Sequence, residues 1–142
     1  MTAQWRSFGT VSGAVLITLV AAGCTSVSPP DPTPTGDEIR IVTSNQTEPT
    51  GMEVQLTADL VIGDKGCVQA ETAGGTVNLV WPSGYTVHGD SQAFTVLNAD
   101  GDAVAASGST VTMTGGPGDE VDAAWANADC IDGEPWMVGA AK

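Results

Sequence analysis

Three cysteines, one histidine and seventeen acidic residues are the side chains of this 142-residue chain that could do chemistry. The cysteines are Cys24, Cys67 and Cys130. No Cys-x-x-Cys pair occurs, which argues against a dithiol redox site or a zinc site. His88 lies close to Asp90 and Ser91 in one predicted turn, whereas a Ser-His-Asp triad joins distant segments of a fold. Since nucleophile-elbow, phosphate-loop and dinucleotide motifs are also missing, we expect a non-enzymatic protein without a cofactor.

Two groups of acidic residues raise the question of a cation site. In the first, Asn98, Asp100 and Asp102 have the spacing of calcium-loop ligands, but such a loop also requires Gly at position 103 and Glu at 109. The chain has Ala103 and Ser109 at these positions. Asp-Gly between two apolar runs is a strong hairpin signal, so we interpret this segment as a turn.

The second acidic group lies in the region 119–136, together with two tryptophans. Its acids are Asp119, Glu120, Asp122, Asp129, Asp132 and Glu134. This region is either a solvated acidic loop, which we favour, or a site for a metal ion or small molecule. Helical spacing of Val121, Ala124, Trp125 and Ala128 leaves a short helix as the alternative to an irregular loop. The aromatic residues of the domain leave a similar choice between a core, which we favour, and a ligand groove.

The N-terminus has the pattern of a targeting segment. Arg6 precedes an apolar run over residues 11–22, which is shorter than the roughly 20 residues that a membrane-spanning helix needs. This length is typical of the apolar region of a secretory signal peptide. We therefore expect residues 1–23 to be removed on export.

The sequence AAGC at residues 21–24 resembles the lipobox of prokaryotic lipoproteins. The resemblance implies that the Cys24 sulfur receives a diacylglyceryl group, that cleavage occurs before Cys24, and that the new amine is acylated. Two acyl attachments meet the condition for stable anchoring. The expected location is the extracytoplasmic face of the cell membrane, with the lipid on Cys24 as the membrane contact. An ordinary signal-peptidase site with a chance cysteine is the alternative.

Residues 24–50 have the composition of a tether. Five prolines interrupt any helix or sheet there, and proline-rich segments extend by about 3.1 Å per residue. Residues 38–42 alternate in polarity and could form a first edge strand, but we interpret the whole segment as a linker. Asn45 begins a glycosylation sequon, which is a pattern common by chance.

Residues 51–142 carry the signals of a small β domain. Polar and apolar residues alternate over 52–62, and further strand patterns occur over 67–71, 76–81, 93–98, 103–107, 110–114 and 135–138. Turn sequences separate them, and we expect the glycines at 115–118 to end the strand before them. Short strands at this spacing predict an all-β fold, specifically a five- to six-stranded, partly open barrel of the OB type.

An ordered set of motifs in this domain is similar to a family of small uncharacterised actinobacterial lipoproteins. The motifs are GCV at 66–68, LVWPSGY at 79–85, VLNADGDAVA at 96–105, GG at 115–116 and Cys130. The resemblance covers residues 54–138 and implies a secreted β domain. It implies no activity.

Once Cys24 is lipidated, the two remaining cysteines are Cys67 and Cys130. Export places them in an oxidising compartment, where such a pair usually forms a disulfide. A bond closing a loop of this length would contribute roughly 4 kcal/mol in the chain-entropy model. A redox-active or metal-binding pair is the weaker alternative.

Net charge limits the partners that the protein can have. Four basic residues against seventeen acidic ones give a net charge of −13, which excludes nucleic acid as a partner because phosphate binding requires a basic surface. We expect an anchored envelope lipoprotein that presents its β domain for binding or structural support, with an unidentified envelope protein as a possible partner. The alternative is an accessory lipoprotein that binds a metal ion or small molecule in the region 119–136.

Overall fold

The computed structural model describes residues 38–47 and 53–141. The predicted signal peptide, Cys24 and the segment up to residue 37 lie outside the described residues. The described part contains nine strands and one turn of 3-10 helix over Ala128–Cys130. The strands are β1 Val42–Thr43, β2 Val54–Ile62, β3 Val68–Thr72, β4 Gly75–Trp81, β5 Thr86–Gly89, β6 Phe94–Leu97, β7 Ala103–Ala106, β8 Thr110–Pro117 and β9 Pro135–Ala141.

Alternating side chains explain why the two longest strands form. In β2, Ala58 and Leu60 are buried while Asp59 between them is exposed. In β8, Val111 and Met113 are buried and the threonines beside them face outward or lie half-buried. Successive side chains of a strand point to opposite faces, so this period of two fixes which face of each strand enters the core.

Five strands close into a barrel in the order β4-β3-β2-β8-β9. All neighbours in this order are antiparallel, and parallel pairing of β4 with β9 completes the ring. The closing register matches Asn78 with Pro135 and Val80 with Met137. The prediction of a small all-β barrel of OB type is therefore confirmed, although the barrel is closed where a partly open one was expected.

A separate three-stranded sheet is formed by β5, β6 and β7, in that order. It is inserted in the chain between the barrel strands β4 and β8. Phe94, Val96 and Ala105 bury one face of this sheet in the same core cluster as Leu79 and Trp81 of the barrel. The small sheet and the barrel thus share one hydrophobic core, which explains why two hairpins this short are stable.

The turn between β6 and β7 confirms the hairpin interpretation of residues 98–102. The Asn98 Oδ1 atom accepts hydrogen bonds from the backbone N–H groups of Asp100, at 3.0 Å, and Asp102, at 2.9 Å. The backbone N–H of Asn98 donates to the carbonyl of Asp102 at 2.9 Å. Asn98 therefore orders the turn through its side chain, as Asn does at such positions.

Residues 38–47 belong to the folded domain, so the interpretation of residues 24–50 as a linker is wrong for this segment. Ile41 and Val42 are 6% and 2% exposed. The backbone of Arg40 receives a hydrogen bond from Val68 and donates one to Gly66, both at 2.8 Å, and Ser44 donates to Trp81 at 2.8 Å. The domain boundary lies before residue 38 rather than at 51, because the alternating patch over 38–42 buries its apolar residues on the barrel.

Removing this segment tests the boundary. A chain that begins at residue 51 should lose about 3–6 kcal/mol of unfolding free energy relative to one that begins at residue 38, because the burial of Ile41 and Val42 contributes about 1.5–3 kcal/mol each. Urea unfolding followed by circular dichroism measures the difference. Equal midpoints and slopes for the two chains would show that residues 38–47 are a linker after all.

The glycines at the end of β8 do not end the strand, which continues to Pro117 with a register shift between Thr114 and Gly115. At Gly115 a Cβ atom would overlap the Met137 carbonyl oxygen and lie 2.7 Å from the Trp136 Nε1 atom. The absence of a side chain therefore lets β9 and the Trp136 indole approach β8. Glycine in this strand serves close packing rather than a turn.

Gly115→Ala should therefore destabilise the barrel by about 1–3 kcal/mol, the usual cost of forcing atoms into a packed site. Gly74→Ala is the matched control, since a Cβ there would meet only the Thr72 Oγ1 atom at an ordinary 3.7 Å. We expect the control to change the unfolding free energy by no more than about 0.5 kcal/mol. Thermal unfolding of both variants measures the contrast, and equal effects would rule out the proposed role of Gly115.

Within residues 38–47 and 53–141 there is no helix with the length and apolarity needed to span a bilayer.

Candidate functional site

The two loops that join barrel strands on one side of the fold form the candidate site. The first runs over residues 63–67 between β2 and β3, and the second over residues 118–134 between β8 and β9. A disulfide between Cys67 and Cys130 connects them, with a Cα–Cα distance of 6.0 Å. The predicted bond is thus present, and it links the two loops that frame the ligand face in many OB barrels.

A small second core lies around this disulfide, outside the barrel. It consists of Val42, Cys67, Val80, Cys130 and Met137, with Trp125 and Ile131 packed against it. Residues of β4 consequently face two cores, since Leu79 and Trp81 point into the barrel and Val80 points to the disulfide. The long second loop is held to the barrel by apolar contacts as well as by the covalent bond.

Polar contacts connect the same two loops with segment 38–47, and we call this contact region the junction. Arg40 reaches the Asp129 carboxylate at 3.2 Å and the Lys65 carbonyl oxygen at 2.9 Å. The Lys65 Nζ atom donates to the Asp129 carbonyl at 2.7 Å and to Asp132 Oδ1 at 3.1 Å. Asn127 adopts a left-handed backbone with a φ of 57°, and its side chain donates to the Ile41 carbonyl at 2.8 Å. Segment 38–47 and both loops are therefore tied into one unit.

The loop over residues 118–134 is irregular, as favoured from the sequence. The structure forms no α-helix over residues 119–129, and one turn of 3-10 helix at Ala128–Cys130 is the only helical element of the loop. Asp122 orders a turn instead, because its Oδ1 atom accepts a hydrogen bond from the Ala124 N–H at 2.8 Å. A side chain of this type competes with helix formation by bonding its own backbone.

The acids of this loop do not converge. No group of three or more His, Cys, Asp or Glu side chains arranged to hold a metal ion occurs among the described residues. Asp129 and Asp132 each face a basic residue instead, Arg40 and Lys65 respectively. A cation site in this region therefore has no ligand set in the part of the chain that the structure describes.

A groove of about 350 Å³ opens beside the junction, where the second loop approaches β4 and β9. Its lining is half apolar and half polar, and consists of Thr76, Val77, Asn78, Pro117, Asp132, Glu134, Pro135 and Trp136. The volume lies at the lower end of the range of small-molecule sites. This groove contains Trp136 and two of the acids from the predicted acidic and aromatic region.

Hydrogen bonds fix the polar floor of the groove. The Asn78 amide donates to the Asp132 carbonyl oxygen at 2.7 Å and accepts from the Gln69 amide at 2.8 Å. Asn78 therefore holds the second loop against β4. Neither Asn78 nor Gln69 could be predicted from the sequence, because their pairing depends on the β3–β4 register.

The other aromatic residues lie mainly in the core, as favoured from the sequence. Trp81 and Phe94 are buried, and Tyr85 stacks on Trp81 with ring centres 5.7 Å apart. Partial burial raises the pKa of the Tyr85 hydroxyl. The indole Nε1 atoms of Trp81 and Trp136 are buried and have no hydrogen-bond partner among the described residues.

The turn that contains the only histidine is a structural turn. His88 is exposed at the end of β5, and the Asp90 Oδ1 atom accepts hydrogen bonds from the backbone N–H groups of Gln92, at 2.9 Å, and Ala93, at 3.0 Å. Hydrogen bonds from Ala93 and Gln92 lower the pKa of the Asp90 carboxyl. Asp90 therefore orders its own loop, as Asp commonly does in turns.

Comparison with known proteins found no matching family model, no matching curated protein and no matching solved structure.

Breaking the disulfide tests how far the site depends on it. Replacing both Cys67 and Cys130 by Ala should lower the unfolding free energy by about 4 kcal/mol, because the bond joins residues 63 positions apart and restricts the unfolded chain. Denaturant unfolding of the oxidised parent and the double variant measures this difference. The parent treated with a reductant is the matched control, and a parent that is equally stable with and without reductant would contradict the prediction.

Proposed function

We propose that the protein is a lipid-anchored envelope lipoprotein that presents a disulfide-stabilised β domain for binding. The observation that supports this most directly is the use of the three cysteines. Cys67 and Cys130 are bonded to each other, which is typical of exported proteins, and the remaining cysteine stands at the end of a signal-peptide pattern. The anchor is the lipid on Cys24, and the domain stands at the extracytoplasmic face of the cell membrane.

The length of the tether follows from where the folded domain begins. Thirteen residues separate Cys24 from Glu38, the first residue that the structure describes. At about 3.1 Å per residue for a proline-rich segment, the tether reaches at most about 40 Å. The domain therefore works close to the membrane surface, nearer than a tether ending at residue 50 would place it.

Charge favours attachment through the lipid alone. Arg40 and Lys65 are the basic residues of the described domain, and both face aspartates. The acidic surface is repelled by an anionic membrane, so the protein surface supplies no attraction of its own. Binding partners are expected to meet a negative surface.

Support for a binding role, rather than a purely structural one, comes from the groove between the second loop and β4. It contains Asp132, Glu134 and Trp136 from the region 119–136 that the sequence marked as a small-molecule alternative, and it lies where OB barrels commonly take ligands. An inorganic cation finds no ligand set there among the described residues, so an organic ligand is the better candidate. The function proposed is binding without catalysis.

Replacing Cys24 tests the anchor. We expect Cys24→Ala to move the protein from the membrane fraction to the soluble fraction, since the variant has no thiol to receive the lipid. Fractionation after labelling with an alkyne fatty acid measures both location and acylation.

Ser28→Ala, four residues downstream, is the matched control and should stay in the membrane fraction with its label. A Cys24→Ala protein that remains membrane-bound and labelled would overturn the proposed anchor.

A further inference from the structure

We propose that the groove lined by Asn78, Glu134 and Trp136 binds an organic cation, namely a primary ammonium or guanidinium group carried by a short alkyl chain. This inference rests on the binding role proposed above and names the chemistry of the ligand. It does not require the lipid anchor, so a failure of ligand binding would leave the proposed anchor standing, and a failure of the anchor would leave the ligand proposal standing.

The lining of the groove contains no positively charged side chain. The Asn78 amide already donates to the Asp132 carbonyl oxygen, and the Gln69 amide beside it donates to Asn78. The Lys65 ammonium does not line the groove, and it donates to the Asp129 carbonyl oxygen and to Asp132. The Trp136 indole N–H is buried, so it does not face the open space. Neutral donors remain, namely the second N–H of the Asn78 amide and the Thr76 hydroxyl, but no side chain of the lining supplies a positive charge to a ligand.

Acceptors, in contrast, are available. Glu134 is exposed, lines the groove and has no basic partner among residues 38–47 and 53–141. Asp132 adds a second carboxylate on the same wall, although its charge is shared with Lys65 at 3.1 Å. The Thr76 hydroxyl on β4 can accept a further hydrogen bond. A charged donor gains most here, because hydrogen bonds between ionised partners are about twice as strong as neutral ones.

Apolar groups supply the rest of the site. Val77, Pro117, Pro135 and the half-buried Trp136 form the other walls of the groove. Such walls suit the methylene stem of a lysine-like or arginine-like ligand, and an indole attracts a nearby cation through its ring face. The volume of about 350 Å³ accommodates one such chain.

Other ligand classes fit this lining less well. An anion would face Glu134 and Asp132 without a free cation to compensate, which is repulsive. An inorganic cation would lack the third protein ligand that the described residues fail to provide. A neutral sugar can donate to the carboxylates, but it leaves the negative charge of Glu134 unbalanced. Charge complementarity therefore selects the organic cation.

Isothermal titration of the full-length protein in detergent tests the proposal. The probes are N-acetyl-lysine methylamide, the corresponding arginine derivative, and N-acetyl-norleucine methylamide, which keeps the stem and lacks the charge. We expect saturable 1:1 binding of the two cations, none of the norleucine compound, and affinity that falls severalfold between 0.05 and 0.5 M salt.

Variants assign the binding to the groove. Glu134→Gln keeps the size of the side chain and should weaken binding about tenfold, the usual value of a hydrogen bond to a charged group. Asp100→Asn, which neutralises an exposed acid in the turn between β6 and β7 outside the groove, is the matched control and should leave affinity unchanged. Thermal unfolding of both variants should match the parent, because both residues are exposed.

The source of the cation is resolved by a second pair of probes. A Gly-Gly-Lys-Gly-Gly peptide that binds at least tenfold more tightly than N-acetyl-lysine methylamide assigns the site to a basic segment of a protein partner, whereas equal affinities assign it to small amines. Binding of the norleucine compound as tight as that of the lysine compound would overturn the proposal. An unchanged affinity in Glu134→Gln, or tighter binding of a neutral hexose oligomer, would also overturn it.

Discussion

The bond between Cys67 and Cys130 is the constraint on which the candidate site depends. It joins the loop between β2 and β3 to the loop between β8 and β9, and this second loop, over residues 118–134, has little regular structure of its own. Without the bond, this loop would be held by one small apolar cluster and by ion pairs whose acidic members are more than half exposed. Exposed ion pairs contribute about 0–1 kcal/mol each, so they cannot replace a covalent link worth several times more. The groove keeps its shape because its most irregular wall is fixed at Cys130.

The same junction connects the fold to the proposed anchor. The segment 38–47 lies between Cys24 and the barrel, and its backbone is bonded to Gly66, Val68 and Trp81. The chain that follows the proposed anchor thus joins the barrel next to the disulfide, through Arg40 and the strand after it. Within the described residues, segment 38–47 and the disulfide thus meet at one junction beside the groove.

Much of the barrel could be predicted because its signals are local. The alternation in β2 and the Asp-Gly turn between β6 and β7 each depend on only a few neighbouring residues, whereas the disulfide was predicted from the number of cysteines in the whole chain. The missed features depend on distant partners. Segment 38–47 has the composition of a linker, and only its pairing with Val80 and Trp81 shows that it belongs to the fold. Gly115 is typical of a turn, and only the close approach of Trp136 shows that the position requires a residue without a side chain. β5 was not predicted because Thr86–Gly89 buries almost nothing and is held by pairing with β6. The groove was predicted only as a region of acids and aromatics, since its walls come from three separate segments.

The measurement that tests the central claim most directly is the intact mass of the protein purified from the membranes of its natural host. The account predicts a single chain that begins at Cys24, carries a diacylglyceryl group and an amide-linked acyl chain, and is two hydrogens lighter than its fully reduced form. A chain that retains residues 1–23, carries no lipid, or has free thiols on Cys67 and Cys130 would contradict it.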